Sequence, residues 1–234
     1  MAFVVEFSKC VEELGALQAV LPNDDVVANQ WKIMAQAASE ALSRGETHYT
    51  DRPGILPLRQ KVSALLQKRF SLTVDAKASV VVTCGAVEAR FVALQQLLEA
   101  GAGVWASESL QELIAGAACM RRATLTSSPE EAKLVYLASS LKENVLRATL
   151  AKVAPDAIVL FEVDEEGASF HPSQVGGFSE RTITIGQLGD PAWQMGYLVA
   201  AGGFSAGLRD FKQALTICST NLSQWAMLAA MEAQ

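Results

Sequence analysis

This sequence predicts an α/β domain in three layers, α/β/α, built on a mostly parallel sheet of about seven strands. Three observations predict it. Short β-branched runs recur from residue 79 onward, segments with apolar residues at i+3/i+4 spacing separate several of them, and 234 residues at 50% hydrophobic content suffice to bury one large core. Strands that alternate with helices in this way form a parallel sheet covered on both faces.

The first elements are helical. Ser8–Val20 carries Val11, Leu14 and Leu17 at helical spacing and predicts a short amphipathic helix, and Leu21–Asp24 breaks it while offering a cap to the next. From Val26 to Leu42 the stripe Val27, Trp31, Met34, Ala38, Ala41 predicts a second helix, ended by Arg44-Gly45. A loop, HYTDRPG, spans His48–Gly54. Pro57 then leads a third helix with Leu58, Val62, Leu65 and Arg69 on one side.

After Phe70 the pattern becomes strand and helix in turn. Ser79–Thr83 reads as a strand, Cys84-Gly85-Ala86 as a turn, and Val87, Phe91, Leu94 and Leu98 as the stripe of a helix. Further strands are expected at Gly103–Ala106, Ala123–Thr126, Lys133–Ala138, Ala157–Glu162, Thr182–Ile185 and Gly196–Ala200. Helices are expected between them at about Glu108–Cys119 and Leu141–Val153. Phe204–Leu215 and Asn221–Met231 read as closing helices, the last opened by Asn221 with Gln224 three residues on. With no internal repeat, low-complexity tract or linker, residues 1–234 read as one domain.

Composition narrows the function. There are 19 basic against 25 acidic residues, a net charge of −6, and no Lys/Arg cluster, which disfavours nucleic acid or an anionic membrane as partner. Phe3–Val5 is too short for a signal-peptide core and no apolar run approaches a membrane span, so the expected compartment is the cytoplasm. Cys10, Cys84, Cys119 and Cys218 form no CxxC pair and have only His48 and His171 to assist them, so they read as reduced thiols and not as a metal site.

The most informative stretch is Arg181–Ala201, RTITIGQLGDPAWQMGYLVAA: a strand, a tight passage through Gly186 and Gly189, an aromatic corner at Trp193, and a second strand from Gly196. It resembles the cofactor-anchoring segment of class I/II aminotransferases, which use pyridoxal phosphate and carry approximately G-S-x-S-K, a spacer, then G-W-R-x-G-Y. Gly186, Trp193, Gly196 and Tyr197 match that pattern. Three other segments resemble the family in the same order. Gly45–Phe70 resembles G-x-x-x-Y-x-x-x-x-G-x-x-x-L-R, with Tyr49, Gly54, Leu58 and Arg59 matching; Val80–Leu98 is similar to the strand, glycine turn and helix of V-x-x-T-x-G-A-x-E-A; and Leu222–Met231 resembles the helix that ends the large domain. The resemblance implies the large domain of the pyridoxal-phosphate transferase fold with an N-terminal helical arm, without the family's C-terminal small domain and the substrate-binding arginine it brings.

Pyridoxal chemistry needs a lysine amine for the aldimine, a carboxylate on the ring nitrogen and donors for the phosphate. By the resemblance, Asp190 stands at the lysine, Gln187 at a serine, Gln194 at the phosphate arginine, Phe161 at the ring-nitrogen acid, Asp164 at the tyrosine of the same motif, Lys142 near the turn asparagine and Leu110 near the ring-stacking aromatic. Gly85 and Ala86 remain as backbone donors at a helix start, and Tyr49 as the residue that reaches a phosphate across a dimer. Loss of an arginine and a serine contact costs roughly 3–5 kcal/mol, about two to four decades of affinity. The expectation is therefore that no cofactor is bound. Taken only as residues, Trp193 and Tyr197 read as core or interface aromatics, Gly85 as a turn, the acidic run Asp164–Glu166 as a solvated loop and Asp190-Pro191 as a cap.

These readings imply a degenerate aminotransferase-like protein without transamination, a homodimeric scaffold, regulatory or binding module that takes a protein partner or a small molecule. Two alternatives stand beside it: an enzyme with residual or altered pyridoxal-phosphate chemistry, and a subunit that completes an active aminotransferase in trans through Tyr49.

Overall fold

The computed structural model describes residues 25–164 and 168–233, with side chains from residue 29 onward. The expected helix at Ser8–Val20 and the break at Leu21–Asp24 lie outside the described residues. Helix α1 (Asp25–Ser43) ends at Gly45, whose φ of +81° is the left-handed turn that stops a helix. Helix α2 (Leu56–Phe70) starts with Pro57 in its first turn and buries Leu58, Val62 and Leu66 completely. Each such side chain contributes about 1.5–3 kcal/mol through the apolar area it removes from water.

Strand β1 (Val80–Thr83) leads into α3 (Gly85–Leu97), then β2 (Gly103–Ala106), a 3-10 turn at Glu108–Leu110, α4 (Gln111–Met120) and the short β3 (Thr124–Leu125). Next come β4 (Leu134–Ala138), α5 (Glu143–Leu150), β5 (Ile158–Val163), β6 (Thr182–Leu188), β7 (Met195–Ala200), α6 (Gly202–Thr216) and α7 (Asn221–Glu232). The sheet has seven strands in the order β1-β7-β6-β5-β4-β2-β3. The pairs β2/β3, β2/β4, β4/β5 and β5/β6 are parallel, whereas β7 runs antiparallel to both neighbours. Two apolar cores cover the sheet, one holding α2 and α7, the other α3, α4 and α6. The three-layer α/β fold expected from the sequence is the fold observed.

Differences are local. β6 extends three residues past Ile185, so Gly186 and Gln187 belong to the sheet and not to a turn. α7 begins after Thr220 with no side-chain cap: Asn221 donates to Glu46 Oε2 at 3.3 Å, and the buried Gln224 accepts from Ile55 N at 2.8 Å. Both side chains therefore bind the loop before α2 instead of their own helix. His171 is also enclosed. Its Nδ1 accepts from Ser173 N at 3.1 Å, which leaves Nε2 to donate to Thr184 Oγ1 at 2.9 Å, and the rings of Phe70 and Phe161 pack against it. Burial holds its pKa at about 3, so the ring is neutral. Among the described residues no helix is long and apolar enough to cross a membrane.

Candidate functional site at the strand ends

Every strand except β7 points its C-terminus toward the same edge of the sheet, where open α/β sheets place their ligands. There the β1–α3 turn brings Gly85 and Ala86 against the end of β6. Gly85 has φ +73°, a region that favours glycine, and Thr83 Oγ1 fixes the turn by donating to Gly85 O at 2.9 Å. Cys84 N donates to Glu88 Oε2 at 2.6 Å, so the acid of the first helical turn takes one of the free donors. Ala86 N donates to Gln187 Oε1 at 3.1 Å. The Gln187 carboxamide thus lies on the helix start where an anion would otherwise be held, and its Nε2 is buried with no hydrogen-bond partner among the described residues.

The glycines of the β6–β7 motif are required by contact. A Cβ at Gly196 would lie 2.4 Å from Gly85 C and 2.8 Å from Ala86 N, and a Cβ at Gly186 would lie 2.6 Å from Tyr197 Oη. The two strands therefore press their backbones onto the α3 turn and onto one ring. Tyr197 is 1% exposed, and burial raises the pKa of its phenol, which has no hydrogen-bond partner among the described residues.

The turn between these strands is built differently. Asp190 caps the short 3-10 segment Pro191–Trp193, its Oδ1 accepting from Ala192 N at 2.7 Å. Its Oδ2 accepts from Trp31 Nε1 at 3.2 Å, and Trp31 packs on Trp193 with ring centroids 5.6 Å apart. Both carboxylate oxygens are engaged. Gln194 follows in a left-handed conformation, φ +49°, and is exposed.

The remaining candidates are scattered. Phe161 is buried in the α2/α7 core against His171, and Leu110 is buried in the opposite core, so the two lie on opposite faces of the sheet. Asp164 closes the ends of β4 and β5: it accepts from Ser139 Oγ at 2.9 Å, Ser140 N at 2.8 Å and Ser140 Oγ at 2.7 Å. Lys142 is exposed at the start of α5. Tyr49 is 77% exposed on the loop after α1. Among the described residues no group of acids, histidines and cysteines could hold a metal ion.

Three features escaped sequence reasoning. Trp31 reads as a core-stripe residue, yet it binds Asp190 from 159 positions away, and no local pattern signals such a contact. Arg90, Glu162 and Tyr136 form a buried network, with Arg90 Nη1 at 2.9 and 2.8 Å from the two Glu162 oxygens and Tyr136 Oη donating to Glu162 Oε2 at 2.6 Å. The glutamate beside Phe161 was the available signal, since a carboxylate inside an apolar strand needs a partner. A third buried group, Lys212 on α6, has no exposed surface and no hydrogen-bond partner for Nζ among the described residues. Burial lowers its pKa against the opposing effect of Glu88, Cys84 and Cys218.

Set against pyridoxal phosphate, this arrangement fits in part of its backbone and fails in its side chains. The turn at Gly85 and Ala86 has the shape of a phosphate cradle, but its Ala86 donor is engaged by Gln187. Position 190 offers a carboxylate where an imine needs an amine, and position 161 offers a ring within the core. No chemical step through that cofactor can be derived from these residues.

Comparison with known proteins adds kinship. Residues 22–124 match the family described as aminotransferase class I and II. A probable N-succinyldiaminopimelate aminotransferase of Mycobacterium tuberculosis is 26% identical over 239 residues, covering 86% of this chain and 60% of that protein. A probable aspartate aminotransferase of Methanocaldococcus jannaschii is 40% identical over 70 residues, 30% of this chain and 18% of that protein. Among solved structures, N-succinyldiaminopimelate aminotransferase from M. tuberculosis superposes with a TM-score of 0.75 at 21% identity, over 86% of this chain and 62% of that one. The aromatic aminotransferase from Pyrococcus horikoshii OT3 does so with a TM-score of 0.77 at 19% identity, over 86% and 64%. These last two show the fold. The chain spans about 60% of the length of the full-span curated relatives it matches.

One expectation is corrected by this kinship. The absence of any cofactor was expected, but the relatives are aminotransferases, so pyridoxal phosphate is the cofactor to expect for this lineage. The expectation of none weighed side-chain contacts alone, position by position. A phosphate cradle made of backbone N–H groups survives side-chain replacement, and here the Gly85–Ala86 turn persists. Family match, relatives and sheet order agree on kinship: residues 22–124 match the class I and II aminotransferases, and the fold is the one seen in solved aminotransferases.

Proposed function

We propose that this chain is a non-transaminating member of its family, a cytoplasmic homodimeric module of one domain that acts by binding, as a scaffold or a regulatory subunit. The observation that carries the reading is Asp190. An imine requires a nucleophilic nitrogen; a carboxylate has none, and this one is held by Ala192 N at 2.7 Å and Trp31 Nε1 at 3.2 Å. On this reading pyridoxal phosphate meets the chain without an imine at position 190. Pairing is supported by large apolar side chains left in water: Tyr49 at 77%, Val87 at 69% and Ile217 at 43% exposure. Ile217 also has φ +59°, a conformation that costs a β-branched residue energy and that tends to persist where surrounding contacts hold it.

A second reading is favoured by Tyr49. Its hydroxyl has no hydrogen-bond partner among the described residues, and a family relative that keeps its lysine could receive it in a mixed dimer. Light scattering after size exclusion tests pairing: a mass near twice 25.0 kDa supports it, and a monomer at micromolar concentration removes it. Amino-acid and 2-oxo-acid exchange, assayed with added pyridoxal phosphate, tests the rest. No turnover is expected from the pure chain; turnover would sink the first reading, and turnover only with a lysine-bearing relative present would favour the second.

A further inference from the structure

A cleft of about 660 Å³ opens on the face formed by the loop before α2 and by α6, and none of the family-motif positions at the strand ends borders it. The cleft is wide and open, so a ligand there keeps one side in solvent. In a chain of net charge −6, this one cleft gathers Arg52, Arg59, Lys77 and Arg209 against Asp51 and Asp210.

These cations are not equivalent. Arg59 is a structural clamp, 4% exposed, donating to Gly54 O at 2.9 Å, Ala76 O at 3.1 Å, Lys77 O at 3.2 Å and Asp51 Oδ2 at 3.3 Å. It ties the loop before α2 to the segment before β1, and Val82 N fastens the same loop by donating to Pro53 O at 2.8 Å. The floor is therefore pre-formed. Arg209 is neutralised by Asp210 at 3.1 Å. Arg52 and Lys77 remain. Arg52 donates only to the neutral Gln213 Oε1 at 3.2 Å, and neither it nor Lys77 has a carboxylate within ion-pair distance among the described residues. Leu56, the first residue of α2, also lines the cleft, and the first turn of that helix carries no acid to offset its positive end.

We propose that this cleft is a binding site for a small phosphate monoester, with the phosphate held between Arg52 and Lys77. Two cations without counterions match a group that carries about −1.5 to −2 charges at neutral pH, and a guanidinium fork presents paired donors to its oxygens. The organic part lies along the apolar edge formed by Pro53 and Leu56.

Titration calorimetry of the full chain at low ionic strength, with inorganic phosphate, adenosine 5′-monophosphate and a short poly-glutamate peptide as probes, tests this. One adenosine monophosphate per chain is expected, bound more tightly than inorganic phosphate. In the double variant Arg52→Ala/Lys77→Ala the affinity should fall at least tenfold, while Lys133→Ala, a cation outside the cleft lining and already paired with Asp156, should leave it unchanged. Amide NMR shifts on titration should fall on residues 50–56 and 77. Absence of binding at millimolar phosphate ester, equal weakening by the two variants, shifts centred on Gly85 and Ala86, or tighter binding of the peptide than of the nucleotide would each overturn the assignment.

Discussion

The strands β6 and β7 and the turn that joins them belong to one motif but obey different constraints. Within the strands, Gly186 faces Tyr197 and Gly196 lies against the Gly85–Ala86 backbone, at distances that admit no added carbon. In the turn, Asp190 and Gln194 reach toward solvent or toward helix α1, where other side chains would be accommodated. The motif keeps what the sheet needs and varies where only chemistry needed a particular side chain. A sequence can thus retain the outline of a cofactor segment because the outline is also a packing requirement.

This contrast can be broken in order of expected effect. Beside the strands, Arg90→Ala leaves Glu162 buried with only Tyr136, a loss of about 3–5 kcal/mol of stability in urea unfolding. A loss below about 1 kcal/mol would mean that water reaches the carboxylate. Gly196→Ala should cost about 3 kcal/mol, because the added methyl meets the Gly85 backbone, which cannot move aside as a side-chain tip could. A tolerated alanine would show that β7 and the α3 turn are not in contact.

Acid comes next. His171 has a folded pKa of about 3 against an ordinary value of 6.5, so below pH 6.5 the unfolded chain takes up a proton that the folded chain refuses. Stability should therefore fall as pH drops from 6.5 toward 3, by roughly 3 kcal/mol at pH 4. His171→Gln should remove that portion of the slope while costing stability at neutral pH; an unchanged slope would assign the acid sensitivity elsewhere. The smallest effect belongs to the turn. Asp190→Ala removes a cap and the Trp31 contact, and should cost about 1 kcal/mol with near-native circular dichroism. A loss as large as that of Gly196→Ala would abolish the distinction between strand and turn.

What the sequence disclosed follows the same division. β-branched runs and helical stripes located all seven strands and every described α-helix, because burial of the central strands on both sheet faces leaves a local apolar signature, and the exposed β3 still carries β-branched Thr124. Strand direction left no such mark. Gly196–Ala200 reads alike in either sense, and the short connection between Leu188 and Met195, too short for a crossover, makes it antiparallel to β6. Of the candidate site, the strand-end cluster Gly85, Ala86 and Gln187 was visible through the motif, whereas Leu110 and Phe161 turned out to face opposite cores. Side-chain direction at a strand end depends on register with the neighbouring strands, such as Phe161 opposite Thr184, which no local pattern fixes. The basic cleft was invisible because its residues come from positions 52, 77 and 209, and no segment looks basic alone.

The central claim is that position 190 supplies no amine and that the buried Lys212 cannot replace it. Borohydride reduction in the presence of pyridoxal phosphate, followed by peptide mass spectrometry, addresses it directly. The account predicts no lysine carrying a pyridoxyl group in stoichiometric amount, in the chain alone or after dimerisation. One lysine modified to completion, Lys212 included, would contradict it.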